Sequence, residues 1–276
     1  MTTKILVAGE GGQGVQTVAK IVSQAAVNSG KFATFIPSFG VEQRGGVSLG
    51  YIQIDETEIP YPRFGKADIL LIFCDRAISV VKDFISPDTM VIFDSSAILD
   101  KNLETIKNKI KNYIALPAQK IALEKYSIKV LNMIFLGALS QVLKIIDQRE
   151  IEDQIGRELK AKFEQKPELK DLNLNAFREG QNFAGNFDQQ QNSLTGTQAK
   201  EIQTEYSDEK KIWTRFPEFC KGCNLCIVCC PVQALSLSEN VGFLGNPMPK
   251  VDIQKCIGCE LCEKTCPDGA IKVEKK

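Results

Sequence analysis

The stretch ILVAGEGGQGVQTVAK, Ile5–Lys20, joins an apolar run to a helical pattern through a glycine-rich turn. Its glycines have the spacing G-x-G-x-x-G, which in nucleotide-binding folds lies between a strand and the helix that follows it. Backbone N–H groups at the start of such a helix favour an anion. The candidate contacts to a phosphate are therefore the glycines of this loop, Gly9, Gly11, Gly12 and Gly14.

Beyond this loop, apolar runs alternate with helical patterns. Strands are predicted at Lys4–Ala8, Phe32–Ile36, Val47–Ile54, Ala67–Cys74, Thr89–Asp94 and Asn112–Leu116. Helices are predicted at 15–29, 76–85, 117–126, 131–147 and 149–163. The run ADILLIFC, Ala67–Cys74, is apolar without alternation, which is typical of a strand covered on both faces. The alternation predicts an α/β domain over residues 1–185, with an open, mostly parallel sheet.

The second strand bears on which ligand the glycine loop could hold. A nicotinamide dinucleotide needs an acidic residue at the end of that strand to bind the ribose hydroxyls. Pro37 and Ser38 stand there, and Glu42 lies beyond another turn. NAD(P) is therefore disfavoured, and two interpretations stay open: another phosphate ligand, or a turn whose glycines serve packing alone.

Composition excludes several functional classes. The 276 residues include 34 basic and 34 acidic side chains and no histidine. Zero net charge gives no electrostatic reason to bind nucleic acid or an anionic membrane, and imidazole is absent as a metal ligand or general base. The N-terminus lacks the apolar segment of a signal peptide, and no run is long enough to span a membrane. We expect a cytoplasmic protein that contacts neither nucleic acid nor membrane.

The composition changes after Gly185. Residues 186–211 are rich in Gln, Asn, Ser and Thr and have few large apolar side chains, so they cannot bury enough surface to offset chain entropy. We interpret them as a polar linker, with an arm lying on a partner as the alternative. Residues 212–276 contain two copies of one pattern, CKGCNLCIVCCPVQAL and CIGCELCEKTCPDGAI, at an offset of 36 residues. This repeat predicts a small, pseudo-symmetric α+β domain.

Each copy carries C-x2-C-x2-C-x3-C-P, the spacing of two-cluster ferredoxins, in which the fourth cysteine serves the other cluster. One [4Fe–4S] cluster is thereby assigned to Cys220, Cys223, Cys226 and Cys266. The second is assigned to Cys256, Cys259, Cys262 and Cys230. Structural zinc is the alternative, but zinc sites normally use two separated pairs of ligands.

Two further cysteines are not assigned as ligands. Cys229 could compete with Cys230, but the alignment of the repeats and the following Pro231 select Cys230. Cys74 ends an apolar run, where a free cysteine behaves as a small hydrophobic residue.

Five segments of the first domain together resemble the gamma subunit of 2-oxoacid:ferredoxin oxidoreductases. They are GEGGQGV (9–15), PSFGVEQRGG (37–46), YPRFGKADILL (61–71), NMIFLGAL (132–139) and LNLNAFREG (172–180). The cysteine-rich tail resembles the delta subunit of the same enzymes, and this resemblance implies that the two subunits are fused in this chain. Val41 departs from the Pro-Glu-x-Arg-Gly pattern of the family.

The resemblance implies a multi-subunit enzyme that uses thiamine diphosphate, Mg and coenzyme A, and that passes electrons to an external ferredoxin or flavodoxin. The family's Gly-Asp-Gly segment for thiamine diphosphate is absent from this chain, so alpha and beta subunits are expected as partners that hold it. The resemblance also makes Gly9–Gly14 and Arg44 candidate contacts to coenzyme A or to a neighbouring subunit.

Two other functions stay open. One is a stand-alone electron-transfer adaptor with an anion-binding module. The other is an NAD(P)-linked reductase, which the missing acidic residue weakens. The substrate among the 2-oxoacids is not fixed by the sequence.

Overall fold

The computed structural model describes residues 2–39, 46–188, 194–196, 204–217, 219–242 and 247–276. The chain divides into two compact units, Met1–Gln198 and Ala199–Lys276. Each unit has a hydrophobic core of its own. Among the described residues, no helix has the length and apolar character needed to cross a membrane.

The first unit is built on a six-stranded sheet with the spatial order β2-β3-β1-β4-β5-β6. Its strands are β1 (Thr3–Glu10), β2 (Phe32–Phe39), β3 (Val47–Asp55), β4 (Ile69–Ile72), β5 (Met90–Asp94) and β6 (Asn112–Leu116). Its helices are α1 (Val15–Asn28), α2 (Ile78–Val81), α3 (Asp100–Lys107), α4 (Ala118–Lys125), α5 (Leu131–Val142), α6 (Gln148–Glu158), α7 (Lys160–Gln165) and α8 (Glu168–Gly185).

The predicted α/β class and mostly parallel sheet are confirmed, with one local difference. Strands β1, β4, β5 and β6 are mutually parallel, whereas β3 lies between β1 and β2 and is antiparallel to both. The connection from β2 to β3, residues 40–46, is too short for a parallel crossover, which needs a dozen or more residues. The antiparallel pairing follows from that length.

The sheet is apolar on both faces. Alternate residues of β1 point to opposite sides, with Ile5 and Val7 in one core cluster and Leu6 and Ala8 in the other. Helices α1, α4, α5, α6 and α8 supply side chains to the first cluster, and α2 and α3 supply side chains to the second. The absence of alternation in the apolar strands is explained by this double coverage.

Helices α5 and α8 cross at two glycines. A Cβ atom on Gly137 would overlap the carbonyl oxygen of Phe177, and one on Gly180 would overlap that of Ile134. The close approach of the two helices therefore requires glycine at both positions.

The sequence patterns predicted no helix at α3 or α8. Helix α8 contains asparagines and glycines, which favour helices weakly, so its packing against α5 supplies what its propensity lacks. The predicted helices 131–147 and 149–163 are shorter in the structure, ending at Val142 and breaking at Leu159.

The second unit contains two small sheets, β11-β8-β7 and β10-β9. Its strands are β7 (Glu205–Ser207), β8 (Lys211–Arg215), β9 (Leu235–Val241), β10 (Pro247–Val251) and β11 (Ile271–Lys275), and its helices are α9 (Leu225–Val228) and α10 (Leu261–Thr265). The repeat is visible in the strand register. Arg215 pairs with Ile271, and Val251 pairs with Leu235, so each pair becomes the other at the 36-residue offset.

The described parts of residues 186–211 are structured. Leu194 packs on the core of the first unit, and the Gly196 N–H donates a hydrogen bond to Asp100 Oδ1 at 2.7 Å. At the other end, Glu205–Ser207 forms β7 and pairs with β8. The rest of the predicted linker, residues 189–193 and 197–203, lies outside the described residues, and the domain boundaries stay a prediction.

Candidate metal centres

The glycine loop forms a tight turn between β1 and α1. The Gly11 N–H donates to the Gly46 carbonyl, and the Gln13 N–H donates to the Glu10 carbonyl, both at 3.1 Å. The Glu10 N–H donates to Gln13 Oε1 at 2.8 Å. These bonds use backbone donors that a phosphate would need.

Two glycines of the loop serve close packing. A Cβ on Gly9 would lie 3.0 Å from Phe73 Cβ, and a Cβ on Gly14 would overlap the side chain of Asn132 from α5. Gly14 also precedes α1 with φ of 81°, a left-handed conformation that favours glycine. At Gly12, where φ is 102°, no described atom lies within 4 Å of the Cβ position. Arg44, the other candidate contact of this surface, lies outside the described residues.

Glu10, inside the glycine loop, is a residue that sequence reasoning missed. Its side chain is fully buried at the end of β1, and among the described residues no donor hydrogen-bonds to either carboxyl oxygen. The Arg76 guanidinium lies 3.6 Å away. Burial raises the pKa of Glu10 from 4.5 to about 7, although Arg76 acts in the opposite direction. An acidic group at this position opposes the binding of a phosphate. In the sequence, this group is indicated only by the glutamate between two glycines of the loop.

Cys74 lies near Glu10 and is buried with it. Burial, and then the charge of Glu10, raise the pKa of the Cys74 thiol. A thiol held in its neutral form is a poor nucleophile, which agrees with the interpretation of Cys74 as a packing residue.

In the second unit, left-handed residues recur at the same offset as the cysteines. Gly222 and Gly258 have φ of 65° and 67°, and Asn224 and Glu260 have φ of 65° and 62°. Each pair of left-handed residues bends the chain between its first three cysteines and leads into a short helix, α9 or α10. The two cysteine loops therefore have matching backbone conformations, and glycine stands at the first left-handed position of each.

The fourth cysteine of each repeat lies beside the first three cysteines of the other. The two sets of cysteines line two cavities, which are named site 1 and site 2. The cysteines that line site 1 are Cys220, Cys223, Cys226 and Cys266. Those that line site 2 are Cys256, Cys259, Cys262 and Cys230. Cys229 lines neither cavity, and its thiol donates to the Cys226 carbonyl at 3.4 Å.

Backbone donors are already directed at the thiols of both sites. The Ala234 N–H donates to Cys230 Sγ at 3.3 Å, and its repeat equivalent, the Ala270 N–H, donates to Cys266 Sγ at 3.2 Å. Burial raises the pKa of the Cys226 thiol to about 12. Thiol ligands must be deprotonated to bind a metal, so metal binding at such a site releases protons.

The donor set fits an iron–sulfur cluster. Each site offers four thiols around a cavity, with N–H groups directed at sulfur, and hydrogen bonds to sulfur are a usual feature of such sites. Among the residues the structure describes, no three side chains are placed to hold a single metal ion.

The two sites have different surroundings. Trp213 lines site 2 and is completely buried. Arg215 is likewise buried, and its guanidinium donates to the carbonyl of Pro249, which lines site 1. Burial raises the pKa of the Cys220 thiol, and the charge of Arg215 acts in the opposite direction. Sequence reasoning identified neither residue, since both lie in a strand that precedes the cysteine pattern.

The structure thus defines an α/β domain followed by a small, cysteine-rich, ferredoxin-like domain. Residues 4–183 match the family described as pyruvate ferredoxin/flavodoxin oxidoreductase, and residues 219–270 match the 4Fe-4S dicluster domain. The chain belongs to the pyruvate ferredoxin/flavodoxin oxidoreductase family, and its second domain is an iron–sulfur domain.

Curated relatives match the first domain. The 2-oxoglutarate synthase subunit KorC of Methanothermobacter marburgensis is 29% identical over 183 residues, which are 65% of this chain and 95% of the relative. The pyruvate/ketoisovalerate oxidoreductases common subunit gamma of Pyrococcus abyssi is 29% identical over 150 residues, 53% of this chain and 81% of the relative.

Solved structures share the fold. The gamma subunit of a keto/oxoacid ferredoxin oxidoreductase from Geobacter sulfurreducens superposes with a TM-score of 0.52 at 23% identity, covering 66% of this chain and 98% of that one. A 2-oxoglutarate:ferredoxin oxidoreductase from Magnetococcus marinus superposes with a TM-score of 0.59 at 21% identity, covering 74% of this chain and 34% of that one.

Proposed function

We propose that this chain is a fused gamma–delta subunit of a 2-oxoacid:ferredoxin oxidoreductase that acylates coenzyme A. The observation that carries the proposal is the pair of four-thiol cavities, each built from both repeats, in a chain whose first domain is 29% identical to gamma-type subunits. These relatives match the first domain along nearly their whole length, and the ferredoxin-like domain follows it in the same chain.

In this proposal the two cysteine sets hold two [4Fe–4S] clusters. Site 1 uses Cys220, Cys223, Cys226 and Cys266. Site 2 uses Cys256, Cys259, Cys262 and Cys230. When bound, the clusters supply one-electron transfer from thiamine diphosphate, held with Mg on alpha and beta subunits, to an external ferredoxin or flavodoxin. Three of the eight thiols are buried, which separates their sulfurs from water. Clustered cysteines that bind metal are typical of a reducing compartment, so we place the chain in the cytoplasm.

The first domain is proposed to dock on the partner subunits. A role of Gly9–Gly14 and Arg44 at coenzyme A stays a prediction. The hydrogen bonds inside the loop and the buried Glu10 favour the alternative, a turn that shapes the subunit surface.

Metal content tests the two-cluster assignment. Chain purified without oxygen should contain about eight irons and about eight sulfides, because the ligand pattern is doubled. Iron near half that value, or zinc in its place, would contradict the assignment.

Activity and co-purification separate the subunit from a stand-alone adaptor. The isolated chain should not oxidise a 2-oxoacid in the presence of thiamine diphosphate, Mg and coenzyme A, and activity should appear on addition of alpha and beta subunits. A native mass spectrum should show all these subunits in one complex. Dye reduction by the purified single chain, or a chain that co-purifies with no other subunit, would favour a different function.

A further inference from the structure

Sites 1 and 2 differ at one pair of equivalent positions in their strands. Strands β8 and β10 correspond at the 36-residue offset, so Trp213 at site 2 is matched by Pro249 at site 1. The register agrees, since Trp213 pairs with Val273 and Pro249 pairs with Leu237, one repeat earlier. An indole offers an N–H donor, whereas proline offers none.

The indole of Trp213 is enclosed by neighbouring side chains. It is completely buried, it belongs to the core of the second unit, and the Tyr206 ring packs edge-on against it with centroids 5.6 Å apart. Among the described residues, no atom accepts a hydrogen bond of ordinary geometry from its Nε1. Buried tryptophans usually have a partner for this N–H. The unpaired donor beside site 2 therefore fits a group that brings sulfur acceptors into the cavity.

Cys262 is the thiol of site 2 that shares the buried core with this donor. It is the one buried cysteine among the four that line the cavity, and it belongs with Trp213 to the same core cluster. A neutral thiol is a weak hydrogen-bond acceptor, whereas a thiolate is a strong one. An N–H beside neutral thiols is therefore left without a partner, and it gains one when the sulfur carries negative charge.

We propose that Trp213 donates its indole N–H to the sulfur of Cys262 when site 2 is loaded, and that this bond raises the reduction potential at site 2. The proposal rests on the two-cluster function proposed above. A donor aimed at sulfur stabilises the more negative, reduced state, and hydrogen bonds to sulfur are among the determinants of cluster potential. Pro249 cannot act in this way at site 1, because proline has no N–H, and its carbonyl accepts a hydrogen bond from the buried Arg215 guanidinium. Trp213 is thus a tuning residue for one of the two sites.

The chain contains a single tryptophan, which makes a one-atom test feasible. Biosynthetic replacement of tryptophan by benzothienylalanine exchanges the indole N–H for sulfur at position 213 only. Replacement by 5-fluorotryptophan keeps the N–H and serves as the matched control. Midpoint potentials of the full chain are measured by reductive titration followed by electron paramagnetic resonance.

One of the two midpoint potentials should fall in the benzothienylalanine protein, while the other midpoint and the iron content stay unchanged. The fluorinated control should show no fall. Trp213→Phe should lower the same midpoint. Equal midpoints in all these proteins, or equal shifts at both sites, would overturn the proposal.

A second measurement needs no variant. Chain labelled with ¹⁵N at the indole should show hyperfine coupling between this nitrogen and one reduced cluster, and coupling to an exchangeable proton. Absence of both couplings in chain with full iron content would overturn the hydrogen bond alone. Low iron in the unlabelled chain would instead overturn the two-cluster function, and the present proposal with it.

Discussion

The glycine loop and the cysteine repeats are both short sequence patterns, but the structure uses them in different ways. In the loop, the backbone donors of Gly11 and Gln13 are bonded within the first unit, and Gly9 and Gly14 sit against Phe73 and Asn132. In the repeats, thiols from two segments of the chain converge on two cavities.

The difference lies in what each pattern demands of the backbone. Glycine is found wherever a Cβ atom would not fit, so a glycine pattern can arise from close packing as well as from ligand binding. Eight cysteines beside two cavities have no comparable packing role, and a buried thiol gains little there that a larger apolar side chain would not give. A cysteine pattern therefore predicts chemistry more reliably than a glycine pattern.

The largest expected effect is the loss of one cluster, and it tests whether each site takes its fourth cysteine from the other repeat. Cys230→Ser should remove the cluster at site 2 and about half of the iron, because Cys230 lines that cavity although it belongs to the first repeat. Cys229→Ser is the matched control and should retain both clusters, since Cys229 lines neither cavity. Iron analysis and electron paramagnetic resonance of the reduced variants decide this. Loss confined to Cys229→Ser, or equal loss in both variants, would contradict the exchanged ligand.

The next effect tests the claim that glycines of the first unit serve packing. Gly180→Ala should destabilise this unit by about 1–3 kcal/mol or more, because the new methyl group overlaps the Ile134 carbonyl. Gly156→Ala in α6 is the control. Its Cβ position is open, so the substitution should raise stability by about 0.5–1 kcal/mol. Denaturant unfolding followed by circular dichroism gives both values, and a neutral Gly180→Ala would show that α5 and α8 can separate without cost.

The fold could largely be predicted from the sequence, because apolar runs mark the six strands. The repeat offset pairs Cys230 and Cys266 with the opposite triplets; these cysteines line the same cavities, and their assignment as cluster ligands stays a prediction. Helix α8 could not be predicted, because its stability comes from contact with α5 rather than from its own residues. Trp213 and Arg215 were also missed, since a donor beside a sulfur is recognised only when distant segments are brought together.

A smaller effect concerns Glu10, which makes the glycine loop acidic. Its folded-state pKa of about 7 exceeds the ordinary 4.5, so the native state binds the additional proton between these values. Stability of the first unit should therefore fall as pH rises from 4.5 to 7. Glu10→Gln should remove this contribution to the pH dependence of the unfolding free energy. Glu58→Gln changes an exposed carboxyl and should leave the contribution in place. Unfolding free energies measured across this pH range test the assignment, and an unchanged slope in Glu10→Gln would exclude Glu10 as its source.

The smallest effect addresses Gly12, a glycine of the loop that close packing does not explain. Gly12 and Gly30 both have positive φ, 102° and 76°, and both have open space at the Cβ position. Alanine at either position should cost about 1–2 kcal/mol of stability through backbone strain alone. If the loop is a turn, the two variants should show the same Michaelis constant for coenzyme A in the assembled enzyme, with full iron content. A higher constant in Gly12→Ala than in Gly30→Ala would reveal a contact between this loop and the ligand. That result would show that the glycine pattern, like the cysteine pattern, is explained by ligand binding. Gly12, which has open space at its Cβ position in this chain, would then contact coenzyme A in the assembled enzyme.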